Sequence, residues 1–188
     1  MSEYRRPPWM LPVIVLIGVG TVAYVVFMLV RGIGLTTALR PFNEHLAEYT
    51  AATEQISGAG YIRVGVIPVS VPLSSDGETT INRDLYEELP EELRAATPED
   101  AGTAVWTACD HRVTNYYDVG GLSYESDTHY YQCYCEVTVV DLAISKIVDS
   151  GNVFDGREAP YSLEAGKEEY GECPWGEIAD YLAALPRQ

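Results

Sequence analysis

The chain of 188 residues carries 28 acidic and 12 basic side chains, a formal net charge of −16. A field of that sign repels phosphate backbones and anionic headgroups, which excludes nucleic-acid binding. With 47% hydrophobic residues and 14 tyrosines, the composition is that of a folded domain, large enough for one core but small for two.

The first element is the run 9–30, WMLPVIVLIGVGTVAYVVFMLV, which contains no charge. As a helix it is roughly 33 Å long, enough to cross the hydrocarbon core of a bilayer. A secretory signal has a shorter apolar core of about 7–15 residues, and a buried core helix shows a polar face that this run lacks. Trp9 suits an interfacial aromatic belt, and Pro12 falls in the first turn, where proline is tolerated. The expected organisation is a short cytoplasmic tail (1–8), a transmembrane helix (9–30), a juxtamembrane helical stalk (31–59) and an extracytoplasmic domain (60–188). Arg5 and Arg6 on one side and Arg31 and Arg40 on the other barely set the direction by charge. The short tail, and a following domain that is acidic and holds four cysteines, place the N-terminus in the cytoplasm.

The segment 41–56 reads as a helix, with Pro41 at its first turn and Phe42, Leu46, Tyr49, Thr53 and Ile56 at helical spacing. Ser57-Gly58-Ala59-Gly60 ends it; the segment is either a stalk that holds the domain off the membrane, the reading taken above, or a piece packed on the domain. Tyr61 to Val71 is β-branched and strand-like, and Pro68 points to an edge or a bulge because proline donates nothing to a ladder. PLSSDGETT is a turn-rich loop. Leu85 to Ala95 looks helical on both sides of Pro90, which interrupts it. Thr97-Pro98-Glu99-Asp100 opens a turn that Gly102 stops, making a corner. TAVWTAC and RVTNYYDV form a pair of strand-like runs, with Val119-Gly120-Gly121 as a turn. Tyr130 to Asp141 is the strongest strand; its alternation puts Cys133, Cys135, Val137 and Val139 on one face and Tyr134, Glu136 and Thr138 on the other. Asp141 to Ser145 turns the chain into Lys146–Asp149, a hairpin. Residues 151–172 are loop-like. PWGEIADYLAAL closes the chain as a helix, with Ile178, Tyr181, Leu182 and Leu185 lining the side that covers the sheet. The expected fold class is α+β: a single N-terminal transmembrane helix, then a small antiparallel-sheet domain with a C-terminal helix.

Three segments, LPEELRAATPEDAGTAVW (89–106), CEVTVVDLAISKIV (135–148) and PWGEIADYLAALP (174–186), resemble a pattern in a family of uncharacterised bacterial membrane-anchored proteins. That family carries an LPEELRA-type segment, a VTVID-type strand and a closing EI-x-x-YL-type helix. The resemblance implies single-pass or lipoprotein-like anchoring and brings no activity or functional residue with it.

Cys109, Cys133, Cys135 and Cys173 are the main chemical constellation. Four cysteines in an extracytoplasmic domain are most simply two disulfides, each contributing roughly 2–4 kcal/mol. Cys133 and Cys135 share a strand face, so one pairs with Cys109 and the other with Cys173; of the three possible connectivities, spacing selects none. The alternative is a metal site built from Cys109, His111, Cys133 and Cys135, two i, i+2 pairs on one face, with His129 nearby. The C-x₂₋₄-C knuckles of structural zinc are absent, and a redox Cys-x-Cys lacks the usual Cys-x-x-Cys context. His45 reads as a solvated residue. No G-x-S-x-G, H-E-x-x-H, Walker or dinucleotide motif occurs, so no catalytic residue and no cofactor are indicated. Asp149, Asn152 and Asp155-Gly156, and Asp76-Gly77-Glu78, read as turns and not as calcium loops.

Tyr116, Tyr117, Tyr124, Tyr130, Tyr131 and Tyr134 crowd the central hairpin. Such tyrosines form cross-strand pairs and also make this hairpin the first candidate contact surface. The function expected is a non-enzymatic, membrane-anchored, extracytoplasmic interaction or accessory module, a subunit of a larger membrane complex offering acidic surface to a basic protein partner. Its partners are then the lipid bilayer, through 9–30, and that protein. The runner-up is a small membrane-tethered redox or metal-binding protein using the Cys109/His111/Cys133/Cys135 cluster.

Overall fold

The computed structural model describes residues 10–58, 60–74, 77–117, 128–159 and 168–188, without the side chains of 10–20, 29–31, 115–117 and 128. The chain divides into two compact units, one ending at Arg40 and one running from Pro41 to Gln188.

The first unit is helix α1, Met10–Leu39, 30 residues with no acid in its first turn and no base in its last. Among the described residues it is the one helix long and apolar enough to cross a membrane. Val22, Tyr24, Val25, Val26, Phe27 and Met28 are all exposed, so consecutive large apolar side chains point outward around the full turn.

A 3-10 turn, Arg40–His45, leads into the second unit and is followed by a single turn of helix, α2 (Leu46–Tyr49). Of the two readings open for segment 41–56, a stalk or a piece packed on the domain, the structure has the second, and the segment is not one helix. Phe42, Tyr49 and Ala52 are buried, the Trp106 indole N–H donates to the Tyr49 carbonyl at 2.8 Å, and Gln55 bridges to Ile147. Bonds in both directions between Ile56 or Glu54 and Ile147, each 2.9 Å, fix the segment to a strand edge. Of the residues whose spacing suggested a continuous helix, Phe42 and Tyr49 are buried, whereas Thr53 is exposed.

The sheet is mixed and not antiparallel throughout. Its strands are β1 (Val66–Ser70), β2 (Thr80–Ile81), β3 (Thr103–Tyr117), β4 (Thr128–Asp141), β5 (Lys146–Asp155) and β6 (Glu168–Tyr170), ordered β2-β1-β3-β4-β5 with β6 also on β4. The pairs β1–β3 and β4–β6 are parallel and the others antiparallel. Between β1 and β3 the chain makes β2 and helix α3 (Arg83–Glu88), a crossover long enough to bring β3 back in the same direction.

Pro68 lies between two strands and not at the sheet edge. Its carbonyl accepts from Asn82 N–H at 3.0 Å, so its nitrogen also faces the β2 side. There β2 pairs only with Val69 and Ser70, and the missing donor meets no ladder. The strand is shorter than the β-branched run because Gly65, at φ +83°, breaks it. A Cβ there would collide with the Asp100 carbonyl, and Gly102 N–H donates to the Gly65 carbonyl at 2.9 Å.

As far as Tyr117, the two runs expected from 103 onward are one 15-residue strand, β3, irregular between Val113 and Asn115 and paired along its length with β4. The expected turn at 119–121 lies outside the described residues. Residues 151–172, expected as loop, include the end of β5 and all of β6. Positive φ at Gly151 accompanies the register shift that lets β5 continue past Asp149.

One sheet face carries Val66, Val105, Cys133, Cys135, Val137 and Val139 beneath Leu85, Leu89, Leu93, Ile178, Ala179 and Leu182. The last three belong to helix α4, Trp175–Ala184. Burying a residue of that size contributes about 1.5–3 kcal/mol, so α4 is held by its apolar side as its pattern indicates. Asn82 caps α3, its side chain accepting from Leu85 N–H at 3.0 Å, and Pro90 ends it; a 3-10 turn, Glu91–Leu93, follows. The opposite face carries Ile67, Val69, Ala104 and Val140, all buried, with Trp106 in register beside them. The last residue of β4, Asp141, is 1% exposed and accepts from Tyr61 Oη at 2.7 Å, Arg63 Nε at 2.8 Å and Ala143 N–H at 2.9 Å. Burial alone would raise its pKa, but the bonds from Tyr61, Arg63 and Ala143 and the guanidinium charge outweigh burial and hold it below the usual carboxylate value.

Candidate functional site

The four cysteines gather on the α4-covered face. Cys109 sits directly opposite Cys135 across the β3–β4 ladder, and His111 directly opposite Cys133. Strand alternation puts all four on one side. Cys173 arrives from the link between β6 and α4. The disulfides are Cys109–Cys135 and Cys133–Cys173, and no cysteine is free. The four-residue metal set considered from the sequence is thereby divided: Cys109 and Cys135 are bonded to each other, and His111 groups with Cys133 and Cys173 instead. Ligand atoms of these last three lie within 4.8 Å of one another. His129 does not join them; its ring stacks near Tyr131 at 6.3 Å.

The backbone around Cys173 is held tightly. Gly171 N–H donates to the Tyr131 carbonyl at 2.8 Å, Arg157 N–H to the Glu172 carbonyl at 3.2 Å, Gly156 N–H to the Cys133 carbonyl at 2.8 Å and Trp175 N–H to the Cys173 carbonyl at 2.9 Å. A side chain at Gly171 would strike the Arg157 carbonyl, so glycine permits the close approach. Tyr170 stacks on Tyr131 at 4.8 Å and meets the His111 ring edge-on at 5.1 Å. Its hydroxyl donates to Glu168 at 2.7 Å; this bond, partial burial and the carboxylate charge raise its pKa.

The tyrosines do not form one surface. Tyr131 lies on the cysteine side, whereas Tyr130 and Tyr134 point the other way; Tyr130 is 3% exposed and unavailable for contact. Tyr134 lies under the Arg112 guanidinium at 5.8 Å, and Arg112 also pairs with Asp155 at 2.7 Å. Tyr116 and Tyr117 are placed on β3 by their backbones alone, and Tyr124 lies outside the described residues. His45 is bonded to Glu48 at 3.1 Å on the surface.

Beside the Cys133–Cys173 bridge lies a cleft of roughly 730 Å³ between α3 and the start of α4. Asp84, Glu87, Glu88, Glu172 and Glu177 line it against a single base, Arg157, and Pro174 and Trp175 give it an apolar side. Sequence reasoning missed this site. The LYEELPEEL run reveals a local concentration of acid, but nothing in the spacing says that α3 packs beside residues 172–177.

Comparison of the chain with known protein families and with characterised proteins finds no match.

Proposed function

We propose that this chain is a non-enzymatic, membrane-anchored binding module whose acidic cleft takes a cationic segment of a partner protein. One observation carries this reading: Asp84, Glu88, Glu172 and Glu177, with Glu87 paired to Arg83 at 3.2 Å, outnumber Arg157 on a concave surface with a tryptophan side, an arrangement suited to Lys or Arg side chains with apolar stems. Helix α1 is the bilayer anchor, supported by its length and outward apolar side chains. The domain lies outside the cytoplasm, supported by two disulfides, which persist in oxidising compartments.

The test uses the full chain in detergent micelles and a fluorescent Lys/Arg-rich peptide containing leucines. Exposed charge pairs contribute little individually, so Asp84→Asn, Glu88→Gln and Glu177→Gln should each weaken binding roughly two- to fivefold, and the triple variant by more. Glu44→Gln and Glu78→Gln, which neutralise acids outside the cleft, should leave binding unchanged. Equal loss in both sets would show attraction to net charge alone and overturn the reading. Protease digestion of intact cells should remove the domain; protection would reverse the proposed orientation.

A further inference from the structure

The His111 imidazole, the Cys133 thiolate position and the Cys173 thiolate position come from three separate parts of the chain, with ligand atoms within 4.8 Å of one another. We propose that reductive opening of the Cys133–Cys173 bridge turns this trio into a binding site for a divalent ion of the zinc class. The site adjoins the acidic cleft at Cys173, but its argument does not rest on the cationic-segment reading.

The donor chemistry fits. Two thiolates and a neutral imidazole with one open position are a familiar zinc donor set. Two thiolates and a divalent ion sum to zero charge, which suits a place where Cys133 is fully buried. Tetrahedral coordination with Zn–S near 2.3 Å needs the sulfurs about 3.8 Å apart, a small separation from a bonded pair. His111 is exposed, leaving the fourth position to water, and Tyr170 at 5.1 Å steadies its ring.

The trio does not depend on the bridge for its proximity. Backbone bonds from Gly171 to Tyr131, Arg157 to Glu172 and Gly156 to Cys133 tie the segments together without it, while the β3–β4 ladder sets His111 opposite Cys133. Reduction therefore leaves the donors in place. A small-molecule or protein dithiol is the reductant: one thiolate attacks a bridge sulfur, and the second displaces the remaining cysteine from the mixed disulfide. The dithiol leaves as a disulfide, having supplied two electrons and two protons, and Cys133 and Cys173 become thiols. Both release their protons to solvent on coordination. The bridge and the metal are mutually exclusive, so the redox state decides which one ties β4 to the start of α4.

Cobalt(II) is the probe. The full chain in detergent, reduced with dithiothreitol and desalted without oxygen, should bind one cobalt and show thiolate-to-metal charge transfer with tetrahedral visible bands; the oxidised chain should show neither. His111→Ala should lower the affinity roughly tenfold or more, with peptide mapping of the unreduced variant still finding the Cys133–Cys173 bridge. In the reduced wild type, zinc should slow alkylation of the half-buried Cys173 relative to the metal-free reduced chain and leave that of the half-buried Cys109 unchanged. Absence of the cobalt spectrum in the reduced chain, unchanged affinity in His111→Ala, or zinc protection of Cys109 in place of Cys173 would each overturn the proposal.

Discussion

Replacing Cys109 and Cys135 together with alanine tests the contribution of the cross-strand bridge. The two are separated by 26 residues, and closing a loop of that length removes denatured-state entropy equivalent to about 3.5 kcal/mol in the chain-entropy treatment. The second bridge spans 40 residues, and the two loops overlap only at positions 133–135. Each bridge therefore constrains largely its own stretch of unfolded chain. Cys135 is fully buried, so loss of its sulfur leaves a methyl-sized void that adds about 1 kcal/mol. A total near 4–5 kcal/mol lowers the midpoint of a domain this size by roughly 9–18 °C. Thermal and guanidinium unfolding of the full chain in detergent, followed by the fluorescence of Trp106 and Trp175, reads this directly. The β3–β4 ladder should survive, because its backbone bonds do not require the sulfurs. A drop below about 3 °C would refute the reasoning, since the loop would then be equally constrained without the bond.

Tyr49 is buried, and its hydroxyl has no hydrogen-bond partner among the described residues; burial, with the charges of Glu48 and Glu99, pushes its pKa up to about 12. Tyr49→Phe should therefore raise stability by about 1–3 kcal/mol in the same unfolding assay, and a loss would mean that the hydroxyl is satisfied. Asp141→Asn removes the charge that Tyr61 and Arg63 enclose and should cost about 3 kcal/mol, the lower end for a buried pair because Arg63 is partly exposed. The folded pKa of Asp141 lies below its unfolded value, so its contribution is complete above about pH 4 and is lost as pH falls through the folded pKa. Unfolding midpoints measured from pH 7 down to 2 should show that loss in the wild type and a shallower one in Asp141→Asn. Identical profiles would remove Asp141 from the account.

The features legible in the sequence are those carried by local pattern. Residues 10–30 of the uncharged run fall within α1, the alternation of Cys133, Cys135, Val137 and Val139 matches a fully buried strand face, and Ile178 and Leu182 mark the buried side of α4. What was illegible depends on partners distant in sequence. The parallel pairing of β1 with β3 follows from a crossover, and no residue of either strand encodes it. Gly151 and the acids near it depress strand propensity, yet β5 continues because β4 offers an open edge. Segment 41–56 shows helical spacing, but the sheet face with Trp106 decides its conformation. Cys-x-Cys and Cys-x-His pairs pointed correctly to one face; the association of His111 with Cys133 and Cys173 needed the β6–α4 link, whose approach rests on Gly171.

The cysteine connectivity is interlaced, first with third and second with fourth, and this bears on how the domain is made. Thiols oxidised in the order of their synthesis would join Cys109 to Cys133, since Cys173 is still to come when both are available. That bond leaves Cys135 and Cys173 as the remaining pair and shifts both tethers along β4 by two residues. Biogenesis of the native form thus calls for a catalyst that reshuffles disulfides, beyond one that only inserts them. Production in a secretory host should depend on its isomerase, whereas an oxidant acting alone should trap the chain in the consecutive pairing.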